Sequence, residues 1–218
     1  MTYRTPNERR AIRMRLSRGA MATLVVLVIA TLADAVLLRW LAHFEPGTSV
    51  VDRSVVYNDW YSALRVVGSL WVWLAVAVIM WRLGRGRHGL ATLCGAGLAG
   101  ILSELLKMTV ARQRPLDGVT LRESGYSFRV PFSGFLDPSN LGFPSSHAAV
   151  AFGGAVTLAL LVPRLTLVLL LIATGTALTR VMTAAHYPSD VLVGALIGIA
   201  SGWWVASIQP RADRKFTL

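Results

Sequence analysis

Six apolar runs, each close to the length of a membrane span, constrain this chain more than any other feature of its sequence. They occupy residues 20–42, 62–83, 89–106, 144–162, 165–183 and 189–208. A helix needs about 20 residues to cross the roughly 30 Å of hydrocarbon in a bilayer. The sequence therefore predicts an all-α, polytopic membrane protein, folded as a six-transmembrane-helix bundle.

The composition supports this architecture and argues against a nucleic-acid-binding protein. Of the 218 residues, 54% are hydrophobic and 15% are charged, whereas soluble domains carry about 25% charged residues. The net charge of +11 would suit a phosphate backbone, but the arginines lie at the ends of apolar runs. The single cysteine, Cys94, provides neither a disulfide framework nor a zinc cluster.

The distribution of arginine predicts the orientation of the bundle. With six spans, both termini share one side with the basic connections at residues 82–87 and at Arg164. This side carries more Arg and Lys in short connections, so we expect both termini to be cytoplasmic. Three parts follow: a basic N-terminal segment over 1–19, a membrane domain over 20–208 and a basic cytoplasmic tail over 209–218. The first of these is either an interfacial helix on an anionic leaflet or a solvated tail.

The opposite, outer side receives a loop over residues 116–142, which is longer than a bundle connection needs. Either its apolar side chains dip into the headgroup layer, or the loop merely packs on the bundle. They are Phe128, Val130, Phe132, Phe135 and Leu136. Three polar clusters also lie on this side, because antiparallel spans return the chain to the same face.

The first cluster contains Lys107 and Arg114, followed by Pro115. On a continuing helix the two cations lie on one face, two turns apart. Cations at the end of a membrane helix are costly unless they reach the headgroups or meet an anion. This cluster alone predicts either an anion site or ordinary interfacial snorkelling.

The second cluster, Pro144, Ser145, Ser146 and His147, opens the fourth apolar run. A helix N-terminus presents free backbone N–H groups and suits a phosphate, and proline is well tolerated at the first helical position. Both a phosphate cradle and a plain serine cap with a structural histidine fit this segment alone.

The third cluster contains Arg180, His186 and Asp190. A carboxylate four residues beyond a histidine can accept its Nδ1–H, which leaves Nε2 free to attack. Arg180 can clamp phosphate oxygens in a bidentate manner. The acids are too scattered for a metal site, so we expect neither metal nor cofactor.

Together the three clusters resemble the motifs of the type 2 phosphatidic acid phosphatase (PAP2) superfamily, in its integral-membrane lipid phosphatase branch. They read Lys107-x6-Arg114-Pro115, Pro144-Ser145-Ser146-His147 and Arg180-x5-His186-x3-Asp190. Two positions depart from the family pattern, since Ser146 stands where Gly is usual and Thr179 where Ser is usual. We expect both to tune the phosphate pocket without abolishing activity.

The resemblance implies a role for each motif residue. His186 is the expected nucleophile that forms a phosphohistidine, with Asp190 orienting it. His147 is the expected acid for the leaving oxygen and then the base for water. The phosphate-binding residues implied are Lys107, Arg114, Arg180, Ser145 and the backbone of Ser146.

The resemblance further implies metal-independent removal of the terminal phosphate from a lipid phosphate or diphosphate. The expected place is the bacterial inner (plasma) membrane, with the site facing the periplasm or outside. Candidate lipids are undecaprenyl diphosphate, phosphatidylglycerol phosphate, phosphatidic acid and phosphorylated lipid A. Two alternatives stay open: a lipid phosphotransferase with the same intermediate, and a non-enzymatic membrane transport or scaffold protein. The expected partners are the bilayer and the lipid substrate, without nucleic acid; the sequence does not define an oligomeric state.

Overall fold

The computed structural model describes residues 6–42, 58–115 and 127–210, which are helical with short connections. Its α-helices are α1 Pro6–Leu41, α2 Asp59–Val66, α3 Leu70–Arg82, α4 Gly86–Val110, α5 Ser146–Leu161, α6 Thr166–Met182 and α7 Pro188–Ser207. In the described residues the β interactions are limited to two isolated antiparallel bridges, Arg112 with Phe128 and Gln113 with Leu141. The predicted all-α class is confirmed.

The helices are those of an integral membrane protein, although they differ in detail from the predicted spans. Four segments are long and apolar enough to cross a membrane: Met21–Leu41, Gly86–Val110, Pro163–Met182 and Pro188–Ser207. The predicted span over 62–83 is not one straight helix, because α2 and α3 meet at 71°. α5 is apolar but only 16 residues long. The described residues thus hold four span-length helices, or five with the bent pair; the six-span count and the cytoplasmic termini stay predictions.

α1 lies at the periphery of the bundle. It continues without a break through the predicted boundary between residues 19 and 20. Along residues 21–42 only Asp34, Leu38 and Ala42 are buried, and the helix contacts α7 and α6. Whether its basic N-terminal part lies on a leaflet stays a prediction. Residues 1–5 and most of the predicted tail, 211–218, lie outside the described residues.

α5 is the central helix, packed against α4, α6 and α7. Small side chains let the backbones approach closely. A Cβ atom built on Gly153 would lie 2.6 Å from the carbonyl oxygen of Gly95 on α4, and one on Gly198 of α7 would lie 2.5 Å from that of Ala149. Neither position tolerates a side chain without a shift of backbone, as is common where membrane helices pack through small residues.

The chain folds across one end of this bundle after α4. Ala111 ends α4 in a left-handed conformation with φ 53°, which turns the following residues over the bundle. The amide of Arg114 then donates to the carbonyl of Asn140 at 3.1 Å, and the amide of Gly142 donates to the carbonyl of Arg112 at 2.8 Å. The last part of the predicted outer loop is therefore tied to the segment that follows Lys107.

The apolar side chains of this loop face outward. Phe128, Val130, Phe132, Phe135 and Leu136 are all more than half exposed. The loop backbone nevertheless packs on α4, because a Cβ built on Gly134 would lie 2.7 Å from Met108 Cα. Insertion of the exposed side chains among headgroups stays a prediction, and residues 116–126 of the loop lie outside the described part of the chain.

Candidate active site

The three polar clusters meet at the end of the bundle where the chain folds over α4. Lys107 Nζ on α4 donates to Ser146 Oγ on α5 at 2.5 Å. The amide of Ser145 donates to the carbonyl of Asp190 on α7 at 2.9 Å. Because these contacts join α4, α5 and α7 at one level, they bring residues of all three clusters, Lys107, Ser145, Ser146 and Asp190, to the same end of the bundle.

His186 lies between α6 and α7 and is 2% exposed. Its Nδ1 is 2.7 Å from the carbonyl oxygen of Gly142, which can only accept, so Nδ1 carries the proton. Asp190 Oδ2 is 3.8 Å from Nδ1 and accepts the amide of Tyr187 at 2.8 Å. The nearer acceptor for Nδ1–H is thus a backbone carbonyl, and the orientation of His186 by Asp190 stays a prediction. The expected tautomer is unchanged, with Nε2 unprotonated in the neutral ring.

The surroundings of His186 favour its neutral form. Burial lowers the pKa of His186 below its usual value, and the charges of Arg180 and Arg114 act in the same direction. The carboxylate of Asp190 opposes them. Since the net effect lowers the pKa, the imidazole is neutral at pH 7, which is the state that a nucleophile needs.

Lys107 is held by a residue that sequence reasoning missed. Glu104 lies one turn earlier on α4, and its Oε1 is 2.7 Å from Lys107 Nζ. The hydroxyl of Ser146 donates to the same carboxylate oxygen. Ser146 thus bridges the two charged side chains. The i, i+3 spacing of Glu104 and Lys107 was the signal available in the sequence.

Arg180 and Ser145 each present a buried donor that has no partner within the described residues. These atoms are Arg180 Nε and Ser145 Oγ. Arg180 Nη1 is 3.5 Å from the hydroxyl of Tyr61 on α2, a residue to which the sequence assigned no site role. Buried polar groups in folded proteins are nearly always paired, so two unpaired donors indicate a place prepared for an acceptor.

His147 is the second residue of α5. It interacts electrostatically with His186, Arg180 and Lys107, so the two histidines and the cations share one local field. Gly68, in the bend between α2 and α3, packs directly on it: a Cβ built there would lie 2.8 Å from His147 Cβ. Nothing in the sequence marked Gly68, because the contact depends on the 71° bend.

The two arginines that follow α4 differ in their surroundings. Arg114 donates from Nε to the carbonyl of Leu141 at 3.1 Å and is partly buried. Arg112 is 4% exposed, and its Nη1 lies 3.1 Å from Asp190 Oδ1. No separate role for Arg112 is predicted from the sequence, but the structure makes it an internal ion-pair partner.

Fold and site together define a helical integral membrane protein with two histidines, several cations and an unpaired hydroxyl gathered at one end of the bundle. A family model described as the PAP2 superfamily matches residues 88–214. This match covers more than half of the chain, and the protein belongs to the PAP2 superfamily.

Similar proteins cover different shares of the chain. Lipid A 1-phosphatase of Rhizobium etli is 36% identical over 123 residues, 55% of this chain and 50% of that protein. Decaprenylphosphoryl-5-phosphoribose phosphatase of Mycolicibacterium smegmatis is 33% identical over 172 residues, 74% of this chain and 80% of that protein. The crystal structure of Aquifex aeolicus LpxE shares the fold, with a TM-score of 0.57 and 21% identity over 80% of this chain and 94% of that chain. The alignment with lipid A 1-phosphatase spans about half the length of the Rhizobium etli protein.

Proposed function

We propose that this protein is a metal-independent phosphatase that removes the terminal phosphate from a lipid phosphate or diphosphate. The observation that carries the proposal is the pair of unpaired buried donors, Arg180 Nε and Ser145 Oγ, at the same end of the bundle as a buried histidine. The names of the similar proteins, which are phosphatases of lipid A and of a decaprenyl-linked phosphate, support a phosphorylated lipid as the substrate class.

In the first chemical step Nε2 of His186 attacks phosphorus, and the bond from phosphorus to the lipid oxygen breaks. His147, in its protonated form, gives its proton to that oxygen, so a lipid alcohol leaves; from a diphosphate, a lipid monophosphate leaves. The phosphoryl group stays on His186 as a phosphohistidine. The hydrogen bond from Nδ1 to Gly142 supports this step because it directs the nucleophilic nitrogen to Nε2.

In the second step water attacks the phosphohistidine. His147, now neutral, takes a proton from the water while the bond from phosphorus to Nε2 breaks. The products are inorganic phosphate and the free imidazole of His186. One histidine thus serves as acid and then as base, so its proton is restored in each cycle.

The charge on the phosphoryl oxygens is balanced by side chains. Lys107, Arg114 and Arg180 supply the cations, and Ser145 with the amide of Ser146 at the start of α5 supplies further donors. Within the described residues, no group of three or more His, Cys, Asp or Glu side chains is arranged to hold a metal ion. Asp190 acts through the Tyr187 amide and Arg112 rather than through a direct bond to His186.

The arginine asymmetry supports a location in the bacterial inner membrane with both termini in the cytoplasm. Residues 1–19 and 209–218 then lie on the cytoplasmic side of the membrane domain over 20–208. The loop over 116–142 and the site face the periplasm or outside, at the membrane–water interface. This orientation would let a headgroup reach the site without crossing the hydrocarbon.

The test is phosphate release by the purified protein from a panel of lipids. The panel contains undecaprenyl diphosphate, phosphatidylglycerol phosphate, phosphatidic acid, phosphorylated lipid A and a decaprenyl-linked sugar phosphate. We expect release from at least one lipid in excess EDTA, loss of release in His186→Gln, and retention in His88→Gln, a buried histidine at the other end of α4.

Three results would contradict parts of the proposal. Activity abolished by EDTA and restored by magnesium would exclude the metal-independent mechanism. Label passed to an added acceptor lipid instead of to water would identify a phosphotransferase. No turnover of any phosphorylated lipid would favour a transport or scaffold protein.

A further inference from the structure

Asp34 is a fully buried carboxylate on α1, a helix at the periphery of the bundle. Its neighbours in sequence along α1 mostly face outward. An ionisable group within a membrane helix is costly, and such groups are kept where they face the protein and pair with other polar groups. Two partners of Asp34, Ser189 and Arg112, lie at the same end of the bundle as the candidate active site.

The two carboxylate oxygens of Asp34 bind Ser189 and Arg112. Oδ1 accepts the amide of Ser189, in the first turn of α7, at 2.7 Å. Oδ2 accepts the hydroxyl of Ser189 and Nη2 of Arg112 at 3.1 Å. The other end of the same guanidinium reaches Asp190 Oδ1 at 3.1 Å. Asp34, Arg112, Ser189 and Asp190 form what we call the Asp34 cluster.

We propose that Asp34 is a positioning residue for the nucleophile His186, a role that rests on the proposed phosphatase function. Asp34 fixes the first turn of α7 and one side of Arg112, so it sets where Asp190 lies. Asp190 in turn holds the amide of Tyr187, the residue next to His186. Asp34 lies outside the family match at residues 88–214, so α1 contributes to the site from beyond that region.

The contacts of the Asp34 cluster also predict which property of the site changes when the charge of Asp34 is removed. Arg112 lies between the carboxylates of Asp34 and Asp190, and without the charge of Asp34 it loses one of these two ion pairs. The first turn of α7 and the His186 segment then shift. Lys107, Arg114 and Arg180 are not in the cluster, so simple binding of a tetrahedral anion should persist. The expected defect is in nucleophile geometry and not in anion affinity.

Two anions separate these properties. Five-coordinate orthovanadate takes the attacking nucleophile as a ligand, whereas inorganic phosphate only occupies the cation site. Both are titrated into purified full-length protein in detergent, and their effect on the melting temperature is followed through tryptophan fluorescence. This readout requires no turnover. The initial rate on a short-chain phosphatidic acid is measured beside it.

The variant Asp34→Asn keeps the size of the side chain and one acceptor but removes the charge. Because a misplacement of about 1 Å can cost about a hundredfold, we expect the half-saturating vanadate concentration to rise about tenfold or more, with phosphate changed by less than about threefold. The value of kcat should fall with vanadate affinity while KM changes little. Equal weakening of both anions, or no change, would overturn the positioning role.

Two further variants keep the test decisive. Leu38→Ala removes a buried side chain one turn away on α1 and should lower the melting temperature while leaving the vanadate-to-phosphate ratio unchanged. If it changes the ratio as much as Asp34→Asn does, the effect is loss of α1 packing and the proposal is wrong. If Asp34→Asn does not fold, Ser189→Ala decides, because it should weaken vanadate selectively; an unchanged ratio would overturn the proposal.

The outcome for the positioning role is separate from that for the proposed function. A wild-type protein that binds both anions but hydrolyses no lipid would contradict the phosphatase function, and the ratio in Asp34→Asn would still decide the role of Asp34. A wild-type protein that binds neither anion would overturn both.

Discussion

Nδ1 of His186 lies 2.7 Å from the carbonyl oxygen of Gly142, the last residue of the loop over 116–142. The amide of the same glycine donates to the carbonyl of Arg112 at 2.8 Å. The nucleophile proposed here is therefore oriented by the loop that closes over the bundle end. The tautomer of His186 therefore depends on a backbone carbonyl, and a substitution at Asp190 does not remove that carbonyl.

The titration of His186 itself provides the first prediction. Burial lowers its pKa, with Arg180 and Arg114 acting in the same sense. The ring should therefore stay neutral and nucleophilic as the pH falls through 6.5, the ordinary histidine value, and should gain its proton only at lower pH. NMR of protein labelled at histidine Cε1, with the signal assigned by its loss in His186→Gln, measures this directly.

Asp190→Asn is the companion variant for that titration. The Asp190 carboxylate raises the pKa of His186, so removing its charge should move the midpoint further down. The amide oxygen of asparagine can still accept the Tyr187 amide, which keeps the local fold. A wild-type midpoint above 6.5, or an upward shift in Asp190→Asn, would contradict the electrostatic description of the site.

The second prediction separates the two histidines by role. His186→Ala should abolish both turnover and the covalent intermediate. His147→Ala should slow cleavage most when the leaving group is a lipid alcohol, which needs a proton, and less when it is an activated aryl phosphate. Hydrolysis of the phosphoenzyme should be slow in His147→Ala with either substrate, because the base for water is missing.

Acid-quench trapping of labelled phosphoenzyme measures this difference. With the aryl phosphate, His147→Ala should accumulate label and His186→Ala should trap none. The reverse pattern would make His147 the nucleophile. The pH dependence of wild-type turnover should be bell-shaped, with limbs that belong to the coupled pair and not to either histidine.

The third prediction concerns Glu104, which pairs with Lys107 at 2.7 Å. An incoming phosphate must share Lys107 with this carboxylate and is repelled by it. Glu104→Gln should therefore lower the inhibition constant of inorganic phosphate by about fivefold, since unit charges a few ångströms apart near water interact by about 1 kcal/mol. Asp137→Asn is the control, because Asp137 forms an exposed ion pair with Arg129 and should have no effect. Weaker phosphate inhibition in Glu104→Gln would show that Glu104 orients Lys107 instead of competing for it.

The fourth prediction concerns Gly68, whose Cβ position lies 2.8 Å from His147 Cβ. Gly68→Ala should displace His147, and a displacement of about 1 Å can cost about a hundredfold in rate. The loss should be larger with a lipid substrate than with an aryl phosphate. Gly97→Ala is the matched control, since a Cβ there meets nothing within 4 Å. Equal activity of the two variants would exclude contact with His147 as a functional constraint.

The fifth prediction is topological. In a Cys94→Ala background, cysteines introduced at Ser124 and Thr217 should differ in their reaction with an impermeant thiol reagent on intact cells, after the outer membrane is permeabilised. The cysteine at 124 should react and the one at 217 should not, because the arginine asymmetry predicts cytoplasmic termini. The opposite pattern would invert the protein and place the site on the cytoplasmic face.

Most of what could be predicted from the sequence came from the lengths of the apolar runs and from the order of the motifs. Hydrophobicity alone located the helices, because lipid leaves few other ways to satisfy a backbone. The convergence of Lys107, His147 and His186 followed from the alternation of motifs with antiparallel helices. Both arguments are insensitive to the exact ends of a helix.

Contacts that depend on a bend or on backbone atoms could not be predicted in this way. The carbonyl of Gly142 has no sequence signature, so the partner of His186 was assigned to the nearest acid in sequence, Asp190. Gly68 contacts His147 only because α2 and α3 form a bent pair. Asp34 lay inside an apolar run far from the motifs, and only the packing of α1 on α7 brings it to Arg112.

The length of α5 has a consequence for the surrounding membrane. Its 16 residues rise about 24 Å, at 1.5 Å per residue, which is shorter than the roughly 30 Å of hydrocarbon in a typical bilayer. Its two ends, Ser146 at the candidate site and Leu161 at the opposite end, therefore cannot both reach the headgroup planes of an unperturbed bilayer. A thin membrane matches this short axis, whereas a thick one submerges one end of it. We therefore expect acyl-chain length in the host membrane to control how far a lipid headgroup must descend to reach the candidate site.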